Sequence, residues 1–484
     1  MRPDKVVDAV RYIMSGPRPF EHERCDRIHA ALQPWTPENA QKHLQVKGTP
    51  RGGHAGLAWR SQANFLPLVL DTYSQSMKVD NYLDGKTKDT ASPWQWWQRN
   101  KMAAKQTGIT HSVLKYGFGY TITTPAIVPD GAEKPTPGVL IRPLTPRQIT
   151  CMYGEPIAWT SGETPADDDW PIYALEVNGQ SLRFYDEEQV HFLGVKNVPQ
   201  SALGWKDPQF IAEGNFEYIE GRPHNVGVCP VVRHRDRWLL DEDEVLGIIE
   251  PLIQIQSRID ETTHEMLHSQ YMTAFTQRWV AGWRPKNDEE ALAQTASDTW
   301  YFSDKEVRVG QFEAGDLAAY DVSRKSGIRD LGAIAQLSAS AFGIDAIANI
   351  SDATLAGLER GKELKSGEIK TTLGESYEQM LRTCAHIMGD HAAAQDFDSE
   401  VVWRDMSART FGAVIDGLVK MAAGLNIPTE ALLEDVPGWT AEKVDRVRTM
   451  IEERREEMLL MPKPSPNPAE FEDDPQTEDP HPGE

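Results

Sequence analysis

Apolar residues recur along the chain in two rhythms, and the switch between them divides it. After Trp59, residues Phe65, Leu68, Val69, Thr72 and Tyr73 share the three- and four-residue spacing of one helix face. They predict a helix reaching Met77, in spite of Pro67. Ser92-Pro93 offers a cap and a first-turn proline, and Trp94, Trp97 and Asn100 then share a face of a second helix. Past Tyr116-Gly117 the pattern changes to β-branched runs at 120–128 and 139–144. Residues 174–177 and 181–185 flank Asn178-Gly179 as a hairpin, and 190–193 and 228–232 add two strands. Residues 55–240 therefore read as a mixed α+β domain, behind a basic-leaning helical preface or arm at 1–54.

The helical rhythm then returns at greater length. Val245, Ile248, Ile249, Leu252, Ile255, Ile259, Met266 and Tyr271 fall in a stretch whose one proline is Pro251. A helix of about 36 residues there would be ~54 Å long, more than most globular helices and typical of bundles or assemblies. A short excursion follows, with a helical piece at 288–296 and strand-like runs at 299–302 and 306–312. Further helices are expected at 323–342 and 358–394. The latter contains Gly361, Gly367, Gly374 and Gly389, each costing up to ~1 kcal/mol inside a helix. Segments 411–423, 429–434 and 440–460 make a small α-helical domain, with a turn and cap at Pro437-Gly438-Trp439-Thr440. Residues 461–484 are dominated by proline and acid and are expected to be disordered.

Composition narrows the function. The 484 residues include 50 Lys and Arg against 73 Asp and Glu, a formal charge of −23, so a simple sequence-independent DNA binder with a basic footprint is excluded. The four cysteines are scattered without a CxxC pair, which points to reduced thiols. No run approaches the ~20 apolar residues of a membrane span, and the start lacks a signal-peptide core, so assembly in a cytoplasm without membrane contact is expected.

The sharpest enzyme-like motif is His264-Glu265-Met266-Leu267-His268. On a helix its two histidines lie one turn apart, so they could share a zinc ion with Glu265 as general base. The extended pattern fails, because Tyr271 and Ala274 stand at its glycine and third-histidine positions. Glu289 or Glu290 would have to return as third ligand across Gly282 and Pro285. Histidines facing solvent or an interface on a long helix are the preferred reading. Gly357 to Lys362 resembles a phosphate loop but has too few residues between its glycines, and Glu363 replaces Ser or Thr. Asp167-Asp168-Asp169 reads as a solvated loop before a cation site, and Trp94, Trp96 and Trp97 as core before a base-stacking surface. No catalytic constellation and no cofactor are expected.

The order of parts resembles the portal protein of tailed double-stranded-DNA bacteriophages, in the form common among siphoviruses. Residues 64–79 (NFLPLVLDTYSQSMKV) are similar to the helix opening that family's wing, and 94–123 (WQWWQRNKMAAKQTGITHSVLKYGFGYTIT) to its tryptophan-to-tyrosine segment. GVCPVVR at 227–233 leads into IIEPLIQIQSRID at 248–260, like the first stem helix, and QRWVAGW at 277–283 resembles the exit to the clip. VWRDMSART at 402–410 and VPGWTAEKVDRVRTMI at 436–451 resemble the approach to the crown.

This resemblance implies an α+β portal architecture assembled as a ring, usually of twelve. Its parts would be an arm (1–54), wing (55–240), first stem helix (241–275), clip (276–322), second stem helix (323–342), tunnel loop (343–356), wing helix (357–399), crown (400–460) and tail (461–484). It further implies a structural, non-enzymatic DNA conduit at one capsid vertex of the virion. The implied partners are other copies of the chain, the terminase large subunit, a head–tail adaptor, the major capsid protein, a scaffold, and double-stranded DNA that passes through without sequence specificity. Asp345, Asn349 and Asp352 are expected at the narrowest part, and Glu250, Asp260 and Glu261 on a negative inner wall that keeps phosphates at a distance. The alternative is a zinc metallopeptidase using His264, Glu265 and His268.

Overall fold

A computed structural model describes residues 1–36, 55–126, 138–154, 169–196, 213–239, 247–274, 278–282, 306–311, 317–344, 352–404, 411–433, 435–436 and 438–460. The chain divides into two compact units, Met1–Thr410 and Phe411–Glu484.

The first unit opens with helices α1 (Pro3–Ser15) and α2 (Pro17–Leu32). Neither is a free arm. Val6, Val10 and Ile13 form an i, i+4, i+7 stripe on α1, which buries against alternate residues of a five-stranded sheet, among them Leu175, Val177, Leu182 and Phe184. Helix α2 sends Cys25 and Ile28 into the main core. The sheet is an antiparallel meander of neighbours: β4 (Ile149–Met152), β5 (Tyr173–Asn178), β6 (Ser181–Tyr185), β7 (Gln189–Val195) and β8 (Phe216–Pro223). The expected hairpin is present, but Asn178 pairs with Ser181, so the loop is Gly179-Gln180 and Asn178 is the last paired residue.

Where one helix is expected from Trp59 to Met77 there are two, α3 (Ala55–Arg60) and α4 (Leu66–Gln75), because Pro67 starts a new helix. Strand β1 (Val79–Leu83) follows, then α5 (Trp94–Arg99) and α6 (Met102–Tyr116). Strands β2 (Phe118–Pro125), β3 (Val139–Leu144) and β9 (Val231–Arg235) form a second sheet in the order β3-β2-β9. Asn100 ties helix to sheet: its Nδ2 donates to Val139 O and its Oδ1 accepts from Ile141 N, both at 2.9 Å.

The long helix expected over 241–275 is shorter. Residues 240–246 lie outside the described residues, and α7 runs over Ile253–Ala274 after a 3-10 turn at Glu250–Leu252. Gly247 sets this start. Its φ of +87° suits glycine, and a Cβ there would lie 2.9 Å from both Gly117 N and Lys115 O. An antiparallel ribbon, β10 (Arg278–Ala281) with β11 (Arg308–Gln311), leads to α8 (Leu317–Ala335). Helix α8 begins six residues before the expected 323 and stops at Gln336, whose φ is +57°. A separate 3-10 turn covers Ala339–Phe342. The expected pieces at 288–296 and 299–302 lie outside the described residues.

The longest helix, α9 (Asp352–Met388), passes through every internal glycine named above and ends at Gly389. It crosses the core with Leu373, Tyr377, Leu381 and Cys384, all fully buried. After the one-turn α10 (His391–Ala394), strand β12 (Glu400–Trp403) pairs with β1. Strand β12 therefore belongs to the first unit, although the reading of the sequence groups it with the helices beyond 411. That unit holds α11 (Phe411–Leu425), a 3-10 turn at Ala431–Leu433 and α12 (Ala441–Leu460). The tail at 461–484 lies outside the described residues.

Candidate functional site

The helix–ribbon–helix segment carries most of the residues the sequence singled out. Helices α7 and α8 pack through Ile259, Ile328 and Leu331, all buried. The approach is tight at Gly327, where an added Cβ would come 2.9 Å from Ile259 Cγ1. On the outside of this pair Arg258 meets Asp330, and Lys325 Nζ meets Asp321 Oδ2 at 2.7 Å. These exposed pairs contribute little stability.

The three acidic candidates of the stem differ. Glu261 is exposed and accepts a hydrogen bond from Ser257 Oγ at 3.4 Å. Glu250 is clamped by α2, where Arg24 Nη2 lies 2.7 Å from Oε2 and Arg27 reaches Oε1. Arg24 Nη1 also donates to Tyr116 O at 2.9 Å, so this carboxylate fastens the stem's start to the body. Asp260 is only 2 % exposed. Its Oδ1 accepts from Ala63 N at 2.9 Å and from Gln256 Nε2 at 3.0 Å. Burial pushes its carboxyl up to about 6, against the pull of those donors and of Arg324. Asp260 thus faces inward, and a position on an open wall does not describe it. Gln256 completes the staple, donating to Ala63 O at 3.0 Å and accepting from Phe65 N at 2.9 Å. Sequence reasoning missed Gln256, although its i, i+4 spacing to Asp260 places both on one helix face.

Asp345 and Asn349 lie outside the described residues, and Asp352 is the first residue of α9. His264 and His268 sit on α7, the first half-buried and the second exposed, with Glu265 exposed between them. Burial lowers the His264 pKa, and His268 adds to that. Among the described residues no three His, Cys, Asp or Glu side chains come together to hold a metal. The glycine-rich stretch 357–362 is helix, with Lys362 paired to Glu359 at 3.0 Å, so it forms no phosphate loop. Asp169 is bound by Arg233 at 2.9 Å and Arg235 at 3.0 Å, while Asp167 and Asp168 lie outside the described residues. Trp96 and Trp97 are buried, and Trp94 stacks on Trp97 at 5.2 Å, so the three serve the core. No helix among the described residues is long and apolar enough to cross a membrane.

The chain leaves an α+β body by α7, passes through the β10–β11 ribbon and returns by α8, and the polar groups described above hold these elements together. The family model described as "Phage portal protein, SPP1 Gp6-like" matches residues 53–457, and the chain belongs to that family. It is a portal protein of the phage type. Chains in solved gene transfer agent particles are similar to it. In the virion of the native particle the identity is 11 % and the TM-score 0.43, covering 84 % of this chain and 95 % of that one. In the neck of the empty particle the values are 12 % and 0.46, with the same coverage. In the neck of the native particle they are 11 % and 0.41, covering 81 % and 91 %. No curated protein sequence matches it.

Proposed function

We propose that about twelve copies of this chain close into a ring at one capsid vertex, through which genomic double-stranded DNA enters during packaging and leaves at ejection. The reading is supported by the helix–ribbon–helix order, Ile253–Ala274 to Leu317–Ala335, within a chain matched to the portal family over 53–457. The ribbon is the clip, the docking surface for the terminase large subunit and afterwards for a head–tail adaptor. The body meets the major capsid protein and, during assembly, a scaffold. The chain itself carries out no reaction.

The net charge of −23 per chain suits a conduit whose wall repels the phosphate backbone. Glu261, Asp345, Asn349 and Asp352 are the proposed tunnel-facing residues. Glu250 and Asp260 brace the stem instead. The docking role is tested by replacing residues 276–311 with a short flexible linker and measuring capture of the cognate terminase large subunit by purified rings. Intact rings that no longer capture it are expected. Capture that survives the replacement contradicts docking at the clip.

A further inference from the structure

Four aspartates gather where the turn after β1 meets α10 and the approach to β12. Asp84 follows β1, Asp390 caps α10, and Asp396 and Asp398 precede β12. With Lys86 and Tyr82 they line a cavity of about 600 Å3, a size usual for small-molecule sites. Lys86 answers one of the four carboxylates, which leaves three formal negative charges. Among the described residues none of the four forms an ion pair, although aspartates elsewhere in the same unit, such as Asp80 and Asp169, are held by arginines.

The carboxylates are fixed from within the fold. Asp84 Oδ1 accepts from Thr87 N and Lys86 N, both at 2.8 Å, and these amides hold its carboxyl below the usual range. Asp390 Oδ2 accepts from Ser92 Oγ at 2.8 Å, and Asp396 Oδ2 from Ser399 Oγ at 2.6 Å. Among the described residues no three such groups converge to hold one metal ion. Their charges are spread around the cavity, so the complement is a ligand whose own positive centres are spread.

A second feature of the cavity points to a ligand. Tyr82 is 1 % exposed, and its hydroxyl has no hydrogen-bond partner. Ser399 beside it already gives its proton to Asp396. Burial pushes the Tyr82 hydroxyl up to about 12, so it stays neutral and its lone pairs are open to an N–H donor. Buried hydroxyls are normally paired, and an orphaned one in the wall of an acidic cavity marks the place of a missing donor.

We infer that this cavity binds an aliphatic chain carrying two or more separated ammonium groups, held by Asp84, Asp390, Asp396 and Asp398, with the Tyr82 hydroxyl accepting from one of them. Charge-assisted hydrogen bonds from ammonium to carboxylate supply the affinity. A free polyamine and neighbouring lysine side chains of a partner protein present the same chemistry. The inference stands independently of ring formation and of passage of DNA through a channel.

The test is calorimetric titration of the full-length chain with spermidine at constant ionic strength, with magnesium chloride as control. One saturable site per chain is expected, and magnesium should not displace it. Asp398→Asn removes a charge and keeps that residue's amide bond to Asp396 Oδ1, and it should weaken binding severalfold. Tyr82→Phe should also weaken it severalfold while the urea midpoint stays level or rises, which a purely structural role for the hydroxyl would not produce. Asp321→Asn, an equal loss of charge on α8, should leave affinity unchanged. A tetralysine peptide separates the sources: binding at least tenfold tighter than spermidine, weakened in both cavity variants, assigns lysine side chains, and weaker binding assigns the free polyamine. Absence of a saturable site, displacement by magnesium, equal weakening in Asp321→Asn, or binding unchanged in either cavity variant overturns the inference.

Discussion

Replacing Asp260 with asparagine should stabilise the protein at neutral pH and do little in acid. The carboxyl ionises at an ordinary 3.8 in an unfolded chain and at about 6 in the folded one. Between those values the folded chain holds more protons than the unfolded chain, so stability falls as pH rises. Above about pH 6 the whole penalty is present, on the order of 3 kcal/mol at ~1.36 kcal/mol per tenfold change in acidity. Below 3.8 it is absent. Asparagine keeps an oxygen for Ala63 N and Gln256 Nε2 and carries no charge to desolvate. It loses the attraction of Arg324 and escapes the repulsion of Glu261, two smaller and opposed effects. The expected gain for Asp260→Asn is therefore about 1–3 kcal/mol at pH 7.5 and near zero at pH 4. Urea unfolding followed by tryptophan fluorescence, wild type against variant at both pH values, measures it. An equal effect at the two pH values, or a loss at pH 7.5, would refute the assignment of burial as the dominant influence on this carboxyl.

The stem offers a second test: Ile259→Ala opens a void opposite Gly327 and should cost about 2–5 kcal/mol, read as a fall in the urea midpoint. Asn100→Ala strips the partners from Val139 O and Ile141 N, a loss of about 1–3 kcal/mol, with faster amide exchange at Ile141. For the zinc alternative, purified full-length protein should contain far less than one zinc per chain by elemental analysis, unchanged in His264→Ala. Stoichiometric zinc that disappears in the variant would reopen the peptidase reading.

Much of the fold is legible where one periodicity acts alone. The strands at 173–178 and 181–185 are announced by the Asn178-Gly179 turn between them, and the helices at 411–425 and 441–460 are bounded by glycine and threonine signals. Legibility fails where the backbone is set by tertiary contact. The shortened stem helix depends on Gly247, whose amide is bound by the buried Asp236 at 2.7 Å, a partner eleven residues away that no local pattern reveals. Strands β1 and β12 escape a local reading because each is completed by the other, more than three hundred residues along the chain. The continuity of α9 through its glycines follows from the buried face around Tyr377, which outweighs their weak helix propensity. At the candidate site, density of acidic residues is a poor guide to exposure. Glu250, Asp260 and Glu261 lie within three turns of each other, yet one is clamped by arginines, one is buried and one is open. What separates them is the residue opposite, supplied by helix α2 and by the backbone at Ala63, and a linear pattern does not carry that information.

We propose above that this chain is the subunit of a DNA-conducting ring. Electron cryomicroscopy of the purified full-length protein tests it most directly. Closed rings with a central channel are expected, lined by the stem helices with Glu261 on the channel side and Asp260 covered. Discrete monomers under every assembly condition, or rings whose stem helices lie on the outer surface, would contradict it.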